Sequence, residues 1–241
     1  MCRLGVETDE VPELVRQMQQ GPVRLTGVFS HLANAEADDL AFAREQTDAF
    51  RRAVSDLPGS LLRHLANSAG LVRLPRARLD LVRPGAILYG LNPGMPPDEM
   101  PPVQPTLRLV SRVAEVRRLP RGCTVGYGRR YRLERESTIA FVPVGYADGY
   151  TRALGGKAEV LVGGRRGPVV GAVNMDAITV DVTDLPPVAV GDEVVLIGTQ
   201  DGDRITVAEL AERAGTISHE IPTRLGPRLP RVYNDRGPGR P

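Results

Sequence analysis

The chain has 241 residues, 41% hydrophobic and 25% charged, enough to bury one large core or two modest ones. Its 31 basic and 29 acidic residues are interspersed and leave a formal charge of +2. That balance excludes the broad cationic face that nucleic acid or an anionic membrane would require, and a small-molecule ligand is expected instead. The basic residues are 30 arginines and one lysine, Lys157, which removes lysine from most chemical roles. Cys2 and Cys123 make no disulfide or ligand pattern and suit a reducing compartment. Met1 to Gly5 opens no apolar leader, and no stretch reaches the roughly 18 apolar residues of a membrane span, so the chain reads as cytoplasmic.

Residues 1–95 alternate short apolar runs with helical segments, which predicts parallel strands in a β/α arrangement. The runs Val23 to Phe29, Leu61 to Ala66 and Arg78 to Val82 are expected strands, and each leads into polar residues: Ser30-His31, Asn67-Ser68 and Arg83-Pro84-Gly85. Between the first two, Leu40, Ala43, Thr47, Phe50, Val54 and Leu57 recur at helical spacing after Asp38-Asp39. In a β/α barrel, loops after the strand ends share one mouth, so the three polar clusters would converge there. Three such units cannot close an eight-stranded barrel.

Pro93, Pro96, Pro97, Pro101, Pro102 and Pro105 form a linker that continues neither helix nor central strand. From residue 104 to 233, short β-branched runs separated by turns predict a mostly antiparallel β domain. One helix is expected after Thr206-Val207-Ala208-Glu209, which has the spacing of a capping box. The polar, breaker-rich residues 234–241 read as a disordered tail.

Taken singly, the candidate functional residues are ambiguous. His31 suits a structural or a catalytic role, Arg83 could neutralise a nearby carboxylate, and Ser68 could simply cap the helix beginning at Ala69. Together, Ser68 and the amides of Gly85 and Ala86 would suit a phosphate, because unpaired N–H groups favour an anion. Tyr127 lies between Gly126 and Gly128, which permit close approach to a ligand or simply make a turn. Tyr146 and Tyr150 read as aromatic packing around a type I′-like turn at Asp148-Gly149, or as site residues. Met175-Asp176 ends an apolar run. Gly163 to Pro168 lacks Gly-Lys-Ser/Thr and is read as a plain turn rather than a phosphate loop.

The order of these pieces is far more specific than any one of them. Arg3-Leu4-Gly5, His31-x-Ala33, Asn67-Ser68-Ala69, Arg83-Pro84-Gly85, Val125-Gly126-Tyr127-Gly128, Gly145-Tyr146-Ala147-Asp148-Gly149, Met175-Asp176 and Pro230-Arg231 together resemble bacterial alanine racemase, over residues 1 to 233. The resemblance implies the C-terminal part of a pyridoxal-phosphate (PLP) type (β/α)8 barrel followed by the β domain. It implies interconversion of L- and D-alanine through a PLP aldimine by two bases, for peptidoglycan precursors, in a homodimer with composite active sites. On that matching, Tyr127 is the catalytic base on one face of the substrate and Arg83 partners the pyridine nitrogen. His31 hydrogen-bonds within the cofactor site, and Ser68, Gly85 and Ala86 hold the phosphate. Arg3 and the Met175 backbone address the substrate carboxylate, and Tyr146 guards the substrate entrance.

The chain departs from the family pattern at three places. The family's cofactor-bearing lysine, in a Lys-Ala-Asp-Ala-Tyr-Gly segment, has no counterpart here, and Lys157 cannot replace it. The chain is therefore expected to be N-terminally truncated and inactive alone. Ala86-Ile87 stands where Ile often follows Pro-Gly, and Pro227 stands where a phosphate-binding tyrosine is frequent. A racemase for serine, lysine or another amino acid, or a non-catalytic remnant, are the alternatives.

Overall fold

A computed structural model of the chain describes residues 1–233 and resolves two compact units, residues 1–106 and Leu107 onward. The tail expected at 234–241 lies outside the described residues.

The first unit runs α1 (Val11–Gln20), β1 (Gly27–Phe29), α2 (Ala41–Ala53), β2 (Leu62–His64) and α3 (Ser68–Arg73). β1 and β2 pair in parallel, with Gly27 opposite Leu62 and Phe29 opposite His64. The α2 periodicity is realised: Ala43, Thr47 and Phe50 are buried on one face, and Val54 and Leu57 continue the same core just beyond the helix. The Asp39 carboxylate accepts the Ala41 N–H at 2.8 Å and so helps to start the helix. Thr47 keeps its buried hydroxyl satisfied by donating to the Ala43 carbonyl at 2.8 Å. Leu32, Leu61, Leu65 and Leu74 complete this core, each side chain contributing about 1.5–3 kcal/mol by burial.

The third expected strand, Arg78 to Val82, does not form. Pro75–Ala77 is a single 3-10 turn, Leu79 has φ +50°, and only Leu81 makes a parallel bridge, to His64. The cause is local: the Asp80 carboxylate accepts the Arg63 N–H at 2.7 Å, taking the place a strand carbonyl would have. The Pro-rich stretch is irregular apart from a 3-10 turn at Pro97–Glu99, and Arg73 anchors it. The Arg73 side chain, only 4% exposed, pairs with Glu99 at 2.7 Å and donates to the carbonyls of Ala35 and Ala37.

The second unit holds β3 (Leu109–Arg112), β4 (Glu115–Leu119), β5 (Thr124–Val125), β6 (Tyr131–Arg132), β7 (Ser137–Val142), β8 (Glu159–Val162), β9 (Arg165–Pro168), β10 (Ile178–Asp181), β11 (Glu193–Gln200) and β12 (Asp203–Ile205). Helices α4 (Val207–Ala214) and α5 (Glu220–Thr223) follow. All its strand pairings are antiparallel, as the sequence predicts: one sheet is β10-β7-β4, a second is β12-β11-β8-β9 with β3 also on β11, and β5-β6 is a separate hairpin. Val160, Leu161, Val194, Val195 and Leu196 are fully buried in the second sheet, with Leu154 and Leu210 also in the core. Of residues 163–168, read as a plain turn, Gly163 and Gly164, at φ +56° and +71°, join β8 to β9, and Arg165–Pro168 form β9 itself.

The capping box at α4 is only half made. Thr206 accepts the Glu209 N–H at 3.0 Å, but the Glu209 carboxylate turns to Arg166 and Arg213 instead of the cap. Arg166 also pairs with Glu159 and Asp203, so one guanidinium ties β8, β9, β12 and α4 together.

Candidate active site

In the first unit, the ends of the parallel strands gather around Arg83. Its Nη1 lies 2.5 Å from His64 Nδ1, and its Nη2 donates to the Ser30 carbonyl at 2.8 Å and faces His31 Nδ1 at 3.3 Å. The His64 and Phe29 rings stack with centroids 5.2 Å apart, and the Arg83 guanidinium sits 5.3 Å from the Phe29 centroid. Burial and then the Arg83 charge push both histidines below their usual pKa, and at His31 the charge of Arg3 adds to this while Glu36 opposes it. Neutral imidazoles can offer Nδ1 lone pairs to the guanidinium, which remains charged. Arg83 and His31 are thus brought into contact, and Arg3 lies close enough for its charge to reach His31.

The sequence alone does not single out His64. Its signal was position: it ends the second parallel strand, as His31 follows the first, and strand ends in this arrangement point to one mouth.

Ser68 is not the cap of α3. Asn67, with an extended backbone, fills that role by accepting the Gly70 N–H at 2.9 Å, while Ser68 lies one residue inside the helix and is 5% exposed. The Ser68 hydroxyl oxygen instead accepts the N–H groups of Gly85 at 3.0 Å and Ile87 at 3.4 Å. Ala86 opens a 3-10 turn through Tyr89 and is buried. The space beside Gly85 is open, since an added Cβ would meet nothing within 4 Å.

In the second unit, Tyr127 caps the β5-β6 hairpin and is 75% exposed, its phenol projecting from a backbone that Gly126 and Gly128 carry at φ +73°. A Cβ on Gly126 would crowd the Ala172 amide nitrogen at 3.2 Å, so this turn requires glycine. Tyr146 and Met175, 42% and 57% exposed, are brought together by two backbone bonds. The Tyr146 N–H donates to the Asn174 carbonyl at 3.0 Å and the Ala147 N–H to the Met175 carbonyl at 2.8 Å. The expected type I′ turn at Asp148-Gly149 is instead a 3-10 turn, Tyr146–Asp148, closed by Gly149 at φ +101°. Asp148 keeps an ordinary φ, and its carboxylate folds back to accept the Gly145 N–H at 3.0 Å. Tyr150 is fully buried and packs, its hydroxyl pKa raised beyond the ordinary tyrosine range by burial.

Chemically, the first unit offers a half-buried guanidinium, two imidazoles held below their usual pKa and a serine hydroxyl that accepts two backbone N–H groups, a set suited to an anionic ligand. The second offers an accessible phenol and a second tyrosine on a glycine-shaped turn.

Family models of the alanine racemase N-terminal domain and of the alanine racemase C-terminal domain match residues 1–93 and 106–233. The chain is 42% identical to the alanine racemase of Sorangium cellulosum over 246 residues, covering 98% of this chain and 64% of that protein. It is 44% identical to that of Symbiobacterium thermophilum, covering 97% and 63%. Among solved structures, the alanine racemase of E. faecalis superposes with a TM-score of 0.90 at 33% identity, covering 97% of this chain and 63% of that one. The Bacillus anthracis alanine racemase with bound L-Ala-P gives 0.88 at 33% identity, covering 98% and 63%. The chain therefore spans a little under two thirds of the length of these relatives, 64% of the first. With both of its units matched by the corresponding family models, the chain belongs to the alanine racemase family.

Proposed function

We propose that the chain serves the interconversion of L- and D-alanine with PLP, in the cytoplasm, as a homodimer whose sites combine the first unit of one copy with the second unit of the other. Residues 1–95 would then be the later part of a (β/α)8 barrel, and residues 104–233 the domain that delivers Tyr127. Relatives support the ligand classes: the Bartonella henselae structure carries covalently bound pyridoxal phosphate, and that of Bacillus anthracis binds L-Ala-P.

The observation that carries this reading is the state of Arg83. Nη2 is engaged by Ser30, His31 and Leu65 and Nη1 gives one N–H to His64, while Nε–H and the second N–H of Nη1 have no acceptor among the described residues. One directed N–H from a permanent cation is what a pyridine nitrogen would accept, and a guanidinium is far too weak an acid to protonate it. Ser68 and the amides of Gly85 and Ala86 would hold the phosphate, the Gly85 N–H exchanging its present acceptor, Ser68 Oγ at 3.0 Å, for a phosphate oxygen in the open space beside Gly85. PLP, when bound, supplies an electron sink for the charge left at the substrate Cα. By leaving the ring nitrogen unprotonated, Arg83 moderates that sink and favours return of the proton to Cα over transamination. Tyr127 would take or give that proton at its phenol oxygen on one face. Arg3 and the Met175 N–H would hold the substrate carboxylate, with Tyr146 at the entrance.

The other face needs a second base. The single lysine, Lys157, lies in the turn before β8, in the unit that carries Tyr127 and apart from the Arg83 cluster's unit. A polypeptide of these 241 residues is accordingly proposed to racemise little on its own. The test is to mix it with a full-length alanine racemase that carries Phe at the position matching Tyr127. Activity should rise above that of the Phe variant alone, and the same chain with Tyr127→Phe should restore nothing. Restoration by both, or by neither when mixed dimers are demonstrated, would refute the assignment.

A further inference from the structure

Asp148 is a buried carboxylate, its side chain 9% exposed, with two distinct engagements. Oδ2 accepts the Gly145 N–H at 3.0 Å, which closes the Tyr146 turn, and Oδ1 faces Arg228 Nε at 3.3 Å. The Asp148 carbonyl also accepts the Gly226 N–H at 3.0 Å. Through Gly226 and Arg228 the segment from Arg224 to Arg231 is therefore strapped onto this turn. The strap is itself braced, because Arg231 donates to the carbonyls of Gly226 and Leu225 at 3.3 and 2.9 Å. Contact is close: a Cβ on Gly149 would lie 2.2 Å from the Arg224 carbonyl oxygen, and one on Gly145 would lie 2.4 Å from the Asn174 carbonyl oxygen.

An asparagine would serve the Gly145 bond as well as an aspartate. The charge is needed only for Arg228, and a carboxylate withdrawn from water is tolerated when it has such a partner. Pro227, whose ring fixes its own φ, stiffens the backbone immediately before Arg228. We infer that Asp148 is a positioning residue: with Arg228 it fastens the C-terminal strap to the Tyr146 turn and, through the Asn174–Met175 loop, sets where Tyr146 and Met175 stand relative to each other. The consequence for substrate rests on the reading of Tyr146 and Met175 as substrate-facing; the strap itself does not.

The 241-residue chain labelled with 3-fluorotyrosine tests the strap directly, with Tyr146 assigned from a Tyr146→Phe sample. Arg228→Ala and Asp148→Asn should each move the Tyr146 fluorine signal and speed amide exchange at Ala147 and Gly226 by about threefold to tenfold, the effect of losing a half-exposed ion pair. Arg228→Lys should restore most of both, and exchange at Val194 to Leu196 should not change. A Tyr146 signal unmoved in Arg228→Ala and Asp148→Asn, or changes spread evenly through the unit, would overturn the inference. In the mixed-dimer assay, Arg228→Ala should raise KM for alanine about threefold to tenfold with kcat held, because positioning acts on binding. If Tyr146 moves but KM does not, its substrate-facing role falls and the strap stands.

Discussion

Arg83 Nη1 and His64 Nδ1 lie 2.5 Å apart, a contact that only a histidine unprotonated at Nδ1 can accept. The pair joins the end of β2 to a residue 19 positions on, after a segment that fails to make a strand. The site therefore depends on the protonation of an imidazole. Burial and the Arg83 charge lower the His64 pKa from the ordinary value of 6.5, and burial, Arg83 and Arg3 lower that of His31. A histidine whose folded pKa is depressed stabilises the fold fully above the unfolded value and loses that contribution as pH falls through the folded one. The first unit should hence weaken as pH drops from 7 to below 6. NMR titration should place the His64 midpoint below 6.5. A midpoint at or above the ordinary value would remove this account of Arg83.

Ser68→Ala separates the hydroxyl's task from capping. It leaves the Gly85 and Ile87 N–H groups without their acceptor and should cost about 1–2 kcal/mol in denaturant unfolding. It should also weaken binding of PLP or inorganic phosphate. Asn67→Ala removes the cap on Gly70 and should cost about 1 kcal/mol while leaving phosphate affinity nearly intact. Equal effects of the two on phosphate would argue that Ser68 has no part in anion binding.

The sequence made the larger architecture legible because the signals were local. Helical spacing gave the buried face of α2, and alternating β-branched runs with glycine turns gave the antiparallel unit. It failed where a side chain replaced a backbone partner. Asp80 took an N–H from β2 and so dissolved an expected strand, Asn67 displaced Ser68 from the cap, and Glu209 left its capping box for Arg166. Each competitor lies in plain view in the sequence, yet the choice among acceptors is settled by tertiary packing. The role of His64 was hidden for the same reason, since its partner Arg83 meets it only in the fold.

Two glycines that share a positive φ should differ sharply when replaced by alanine. Gly149, at φ +101°, would thrust its Cβ to within 2.2 Å of the Arg224 carbonyl oxygen, whereas Gly156, at φ +70°, would meet nothing within 4 Å. Gly156→Ala should cost about 1 kcal/mol from backbone strain alone. Gly149→Ala should cost about 3 kcal/mol or more, because the strap must also move. Similar losses in thermal unfolding of the two variants would mean that the 224–231 segment is not packed on the turn.

Lys157 makes the proposed chemistry open to a direct chemical check. It is the one lysine in 241 residues and is exposed in the turn before β8, where its backbone carbonyl accepts a bond from Arg213 at 2.6 Å. Nothing in that turn resembles the cluster of Arg83, His31, His64 and Ser68. When the polypeptide is incubated with PLP and treated with borohydride, no lysine should be labelled stoichiometrically. PLP should still bind reversibly through Arg83, Ser68 and Gly85, and Arg83→Ala should weaken that binding while leaving the trace labelling of Lys157 unchanged. Stoichiometric labelling of Lys157 that depended on Arg83 would show the lysine and the Arg83 cluster acting at one site, and the proposal that this chain supplies the tyrosine base but no lysine base would have to be abandoned.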